Sequence, residues 1–161
     1  MMKSRLAAGC LISLVLAGCH RGLHRAKVSQ DEAAKIDDAT RAAWTSRNVS
    51  KIKAVYGPGF VGFAWATEPL VTNKADWDGW QQNFAVAKFD GMKQTSRMIQ
   101  TLSHYVFIVS AESDITSSTR PDFNATLRCT DVYQRGEDDH WLVVNEHCSA
   151  PGYWRRPPIP L

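Results

Sequence analysis

The apolar positions of the chain change period once. From residue 29 onward, Ala33, Ile36, Ala43 and Trp44 recur at helical spacing, with Asp37, Asp38, Arg41 and Arg47 on the other side. Ser29-Gln30-Asp31-Glu32 has capping-box spacing, in which the serine satisfies a free amide and the glutamate reaches back. Together these predict an amphipathic helix to about Arg47. Asn48 then breaks and recaps, Ile52, Val55 and Tyr56 suggest a second short helix, and Gly57-Pro58-Gly59 ends it. Phe60 to Trp65 is short, aromatic and apolar, so it reads as a strand, and Thr67-Glu68-Pro69 reads as loop. Asn73 and Asp76 form a cap pair for a third helix, with Trp77, Trp80 and Phe84 on one face, running to about Lys88.

Beyond Phe89-Asp90-Gly91 the helical period gives way to four β-prone stretches separated by polar turns: Met92 to Leu102, Tyr105 to Ser113, Phe123 to Arg135 and His140 to Ser149. Helices first and sheet afterwards is the order of an α+β domain, with helices on one face of a curved, mostly antiparallel sheet.

The ends of the chain follow a different logic. Lys3 and Arg5 precede an apolar run from Leu6 to Ala17 that ends in small residues at Cys19. This is the pattern of a secretory signal. The run is about 12 residues, whereas a membrane-crossing helix needs roughly 20. Leu16-Ala17-Gly18-Cys19 resembles the bacterial lipobox, in which a peptidase cuts before a cysteine that has received a diacylglycerol. Residues 1–18 are therefore expected to be a signal peptide, and residues 19–28 a lipidated Cys19 followed by a basic tether. Acyl chains on Cys19 would hold the protein on a membrane. His20 in place of an aspartate favours the periplasmic face of an outer membrane, or the outer surface of a cell with a single membrane. Residues 152–161, with Pro157, Pro158 and Pro160, are expected to form an extended tail.

The formal net charge of +3 invites a nucleic-acid reading. All 16 acidic residues lie between positions 28 and 154, against only 12 of the 19 basic ones, leaving that segment at −4. The basicity belongs to the flanks, so nucleic acid is not an expected partner. Neither a metal nor a cofactor is expected. His20 and His24 read as part of a solvated linker, and His140 and His147 fall on opposite strand faces. Gly57 and Gly59 precede a strand, so they form no phosphate cradle. Ser149 lacks a Gly-x-Ser-x-Gly elbow.

The last hairpin carries the clearest pattern. Leu127-Arg128-Cys129-Thr130-Asp131-Val132-Tyr133-Gln134-Arg135 is followed by Gly136-Glu137-Asp138-Asp139 and then His140-Trp141-Leu142-Val143-Val144-Asn145-Glu146-His147-Cys148-Ser149. This arrangement resembles the closing strands of the SnoaL-like and ketosteroid-isomerase-like superfamily, also called nuclear transport factor 2-like. It is especially similar to the subgroup containing the association domain of calmodulin-dependent kinases. The resemblance covers residues 29–151. It implies a cone-shaped sheet wrapped around N-terminal helices, a pocket at the open end, and a homodimer paired through the sheet.

Strict alternation puts Trp141, Val143, Asn145, His147 and Ser149 on one face of the last strand and Leu142, Val144, Glu146 and Cys148 on the other. The resemblance implies that the tryptophan and histidine face points inward. Candidate ligand-binding residues are then Trp44, Tyr56, Trp65, Tyr133, Trp141, Asn145 and His147 around a partly apolar small molecule. Asp131 and His147 are the candidate catalytic pair, able in principle to move a proton next to a carbonyl. The superfamily's catalytic tyrosine-and-aspartate pattern has no match here, so an enzyme and a dimeric assembly module stay open as alternatives. Cys129 and Cys148 lie directly opposite each other if Asp138-Asp139 are the central turn residues, and an oxidising periplasm then favours a disulfide. A register shifted by one, as the resemblance implies, pairs Cys129 with His147 and leaves the thiols apart.

Overall fold

The computed structural model describes residues 26–63, 70–72, 74–87, 89–119, 121 and 124–150. The signal peptide, Cys19, most of the tether, Trp65 and the tail at 152–161 lie outside the described residues. Helix α1 spans Gln30–Thr45 and starts as the spacing predicts, with Ser29 accepting from the Glu32 amide at 3.1 Å. Helix α2 spans Val49–Ala54, and the Asn48 side chain caps it by accepting from the amides of Ser50 and Lys51. Helix α3 spans Lys74–Ala87.

Strand β1, Tyr56–Phe63, starts earlier than expected and takes in Tyr56 and Gly57-Pro58-Gly59, which the sequence assigned to a helix and its stop. The reason is position. The sheet order is β1-β5-β4-β3-β2, so β1 is an edge, and its pairing is interrupted between Tyr56 and Val61, where a proline removes no ladder bond. The other strands are β2 (Gly91–Thr101), β3 (Val106–Thr116), β4 (Ala125–Arg135) and β5 (Trp141–Ser149). They pair antiparallel in sequence order, while β1 runs parallel to β5. The architecture is the expected α+β arrangement, with the helices preceding a curved, mostly antiparallel sheet.

The β4–β5 register contains both of the alternatives that the hairpin left open. Near the turn Arg135 pairs with Trp141 and Tyr133 with Val143; farther along, Val132 pairs with Asn145 and Cys129 with Cys148. Val144 is the extra residue between the two registers, a β-bulge. Because side chains alternate with period two, one inserted residue exchanges the faces of everything beyond it. Val143, Glu146 and Cys148 are buried, while Asn145 and His147 are exposed on the outer face. Beyond Val144 this reverses the inward face assigned from the sequence.

The inner face of the sheet closes a core in which Leu127, Tyr133, Phe107, Val109 and Val143 meet Trp44, Ile52, Tyr56 and Phe60. Phe107 and Tyr133 stack with ring centroids 4.4 Å apart. Cys129 and Cys148 are disulfide-bonded, tying β4 to β5 beyond the bulge. Gly62 sits where β1 approaches β5 so closely that a Cβ would collide with the Glu146 carbonyl and the Phe60 ring.

Candidate functional site

The centre of the site is a chain of buried polar groups running from α1 across β4 to β5. Asp37 is fully buried, one turn before Arg41 on α1. It sits at the Ala33-plus-four position, so helix geometry carries it onto the apolar stripe and not the solvated side the sequence suggested. Four donors converge on its carboxylate: Tyr133 Oη at 3.0 Å, Arg41 Nε at 3.1 Å, Gln94 Nε2 at 3.2 Å and Arg97 Nη1 at 3.2 Å. This set makes a buried carboxylate tolerable.

Arg41 also donates to Ser113 Oγ at 3.3 Å and places Nη2 3.8 Å from Asp131 Oδ2. Asp131 lies opposite Glu146 in the β4–β5 ladder, and both are buried. Tyr56 donates to Glu146 Oε2 at 3.0 Å. One oxygen of each acid, Asp131 Oδ1 and Glu146 Oε1, has no hydrogen-bond partner among the described residues.

Electrostatics follow from this crowding. Burial pushes the Asp131 carboxyl up to about 7; Arg41 opposes the shift, and the Asp37 charge adds to it. Burial also holds Glu146 well above the usual carboxylate range, reinforced by Asp131 and opposed by the Tyr56 hydrogen bond and Arg41. Burial and the neighbouring carboxyls keep the Tyr56 and Tyr133 hydroxyls protonated. The site therefore favours protonated groups: an acid that burial shifts toward its neutral form and a protonated tyrosine, beside a carboxyl pushed up to about 7.

A pocket of about 330 Å³ opens beside this chain, between the Gly57-Pro58-Gly59 segment of β1 and α3. Its walls are aromatic: Tyr56 and Trp77 have centroids 4.4 Å apart, Phe60 and Trp77 4.5 Å. Tyr56 belongs to both parts, with its ring in the pocket wall and its hydroxyl on Glu146. Gln81 also lines the pocket, fully buried, with no partner for its amide nitrogen or oxygen among the described residues. Lys53 and Asp78, both lining residues, form an ion pair at 2.7 Å.

Of the residues singled out from the sequence, Asp131, Tyr133, Tyr56 and Trp44 are brought together in the buried interior. Trp141 packs edge-on against Phe107 and under the Arg135 guanidinium. His147 and Asn145 are not in the interior. Asn145 donates to the Val61 carbonyl at 2.7 Å, and His147 lies against Phe63 with centroids 5.6 Å apart. His147 lines a shallow outer concavity of about 560 Å³ with Met98, Ser110 and Thr130. The Asp131–His147 pair therefore does not form; the bulge at Val144 puts the two on opposite faces of the sheet. Glu146, Asp37, Arg41 and Gln81 are the residues that sequence reasoning missed. The spacing of Asp37 and Arg41 within the Ala33–Trp44 stripe was the readable signal for the first pair. Nothing local marks Glu146.

No family model matches the chain, and no curated protein sequence does. Solved structures do match. A Xanthomonas campestris protein described as a candidate calcium/calmodulin-dependent protein kinase II association domain superposes with a TM-score of 0.67 at 19% identity, covering 81% of this chain and 97% of that one. An NTF2-like protein of unknown function from Pseudomonas putida gives 0.63 at 18% identity, covering 75% of this chain and 85% of the other. A candidate ketosteroid isomerase from Parabacteroides distasonis gives 0.62 at 14% identity, covering 76% and 88%. At these identities the likeness is one of fold. The chain has the nuclear transport factor 2-like fold, an α+β pocket domain with its polar chain of Asp37, Arg41, Asp131 and Glu146 inside the curved sheet.

Proposed function

We propose that this domain binds a small, partly apolar molecule in the pocket between β1 and α3, as the ligand-binding part of an envelope lipoprotein. The observation that carries the reading is Tyr56: its ring forms the aromatic wall while its hydroxyl connects that wall to buried, proton-holding acids. Unpaired polar groups behind apolar walls suit a ligand with an apolar body and a few polar atoms. The pocket of about 330 Å³ fits a compact molecule.

Gly59 supplies the test. It lines the pocket, and a Cβ there would meet nothing within 4 Å, so Gly59→Leu fills the mouth without disturbing the core. Native mass spectrometry of protein purified from its own envelope should find a small-molecule adduct on the wild type and none on Gly59→Leu. An unliganded wild type, or equal loading of both, would overturn the reading. Anchoring through Cys19 is tested separately: Cys19→Ala should move the protein from the detergent phase to the aqueous phase.

A second reading, a homodimer paired through the sheet, is favoured by the outer face. Met98 is 64% exposed and Phe63 43% exposed there, an apolar surface that a second copy could cover. Phe63→Lys should then lower the sedimentation mass from dimer to monomer; a monomeric wild type would dismiss it.

A further inference from the structure

We propose that reduction of the Cys129–Cys148 disulfide converts the inner face of the β4–β5 ladder into a four-donor site for a borderline-soft divalent cation such as Zn²⁺. The chain carries Cys129-Thr130-Asp131 on β4 and Glu146-His147-Cys148 on β5, mirror images of each other. Antiparallel pairing sets Cys129 opposite Cys148 and Asp131 opposite Glu146. Residues two apart on a strand share a face, so two sulfurs and two carboxyls occupy the corners of one buried patch.

The spacing is close to what a tetrahedral ion needs. One ligand atom each from Asp131, Glu146 and Cys148 already lie within 4.8 Å of one another. Metal–donor bonds of about 2.0–2.3 Å call for donors roughly 3.5 Å apart, a contraction of about 1 Å for these three; the Cys129 sulfur lies outside that group and must turn in once it is released from Cys148. Each acid also has a free oxygen and a held one. Tyr56 holds Glu146 Oε2 and Arg41 stands at Asp131 Oδ2, while Glu146 Oε1 and Asp131 Oδ1 are buried without hydrogen-bond partners among the described residues. An outer partner on one oxygen and a vacant second oxygen is how ligating carboxylates are oriented.

The disulfide acts as the gate. With the sulfurs bonded to each other, no thiolate is available and only two oxygen donors remain. A dithiol reductant gives two electrons and two protons to the S–S bond, which breaks into two thiols as the reductant closes its own disulfide. The cation then displaces a proton from each thiol, and those held by the two acids, into solvent; its oxidation state does not change.

Co²⁺ added to the full chain after reduction and removal of the dithiol is the probe. The expected result is one equivalent of cobalt showing thiolate-to-metal absorption and intense tetrahedral visible bands, displaced by Zn²⁺ and absent from the oxidised protein. Asp131→Asn with Glu146→Gln, both cysteines intact, should weaken Zn²⁺ binding about tenfold or more. Asp131→Asn alone, checked for native circular dichroism, serves if the double variant does not fold. Absence of the thiolate band from reduced wild type would overturn the proposal. So would equal Zn²⁺ affinity in the carboxyl variants, because two thiols alone would then account for the binding.

Discussion

The Tyr56 hydroxyl and the Glu146 carboxyl, 90 residues apart in sequence, meet in a buried hydrogen bond of 3.0 Å. The contact joins β1 to β5 and leaves one Glu146 oxygen without a hydrogen-bond partner among the described residues. Tyr56→Phe removes the donor while keeping the ring against Trp77 and Phe60. Stability should fall by about 1–3 kcal/mol in denaturant unfolding, the cost of an unsatisfied buried polar group. Because the lost hydrogen bond favoured the charged form of Glu146, its carboxyl should titrate still higher by carbon NMR.

Stability should depend on pH in the direction set by acids whose folded pKa is raised. Asp131 titrates at about 7 in the fold against 3.8 in the unfolded chain. Between these values the folded state binds more protons, so rising pH should lower stability, by up to about 1.4 kcal/mol per pH unit for one such group. Glu146, also raised by burial, extends the slope upward. Thermal melts from pH 4 to pH 8 should show this decline, and Asp131→Asn should make it shallower between pH 4 and 7, with Glu146 keeping its own share. A wild-type profile flat across that window would contradict the burial of these acids.

Gly62 packs against the Glu146 backbone where β1 runs parallel to β5. Gly62→Ala must push the strands apart or displace Phe60. A loss of about 1–3 kcal/mol is expected, the usual cost of overpacking. Gly59→Ala, with open space at its Cβ, serves as the neutral control in the same chemical denaturation series.

The Cys129–Cys148 disulfide closes a loop with a sequence separation of 19. Replacing both cysteines by alanine should cost at most about 3 kcal/mol by chain entropy, and less to the extent that the hairpin is already ordered in the unfolded chain. Guanidinium unfolding of the double variant, with free-thiol counting on unreduced wild type, checks both the bond and its worth.

Much of this molecule was legible in advance. Helix starts at Ser29 and Asn48, the order of helices before sheet, and the grouping of Cys129, Asp131 and Tyr133 on one face of β4 all rest on local chemistry: caps, turns and side-chain period. Uninterrupted alternation puts Tyr133 and Asp131 on one face of β4, and only the pairing with β3 and β5 turns that face inward. Asp37 was misplaced because a charged residue on an amphipathic helix is ordinarily solvated. Only the arrival of Tyr133, 96 residues away, with Arg41, Gln94 and Arg97 makes its burial tolerable.

Local pattern is enough to say which residues line each strand in turn; strand pairing decides which of them look inward. The hairpin admitted two registers, and the fold uses both, changing from one to the other at Val144. One extra residue there exchanges His147 and Asn145 for Glu146 and Cys148. The interior therefore receives an acid and a disulfide where alternation promised a histidine. No local pattern could announce this, because a bulge is settled by the match between two strands and the helices they cover, and a period of two carries no memory of where it will slip.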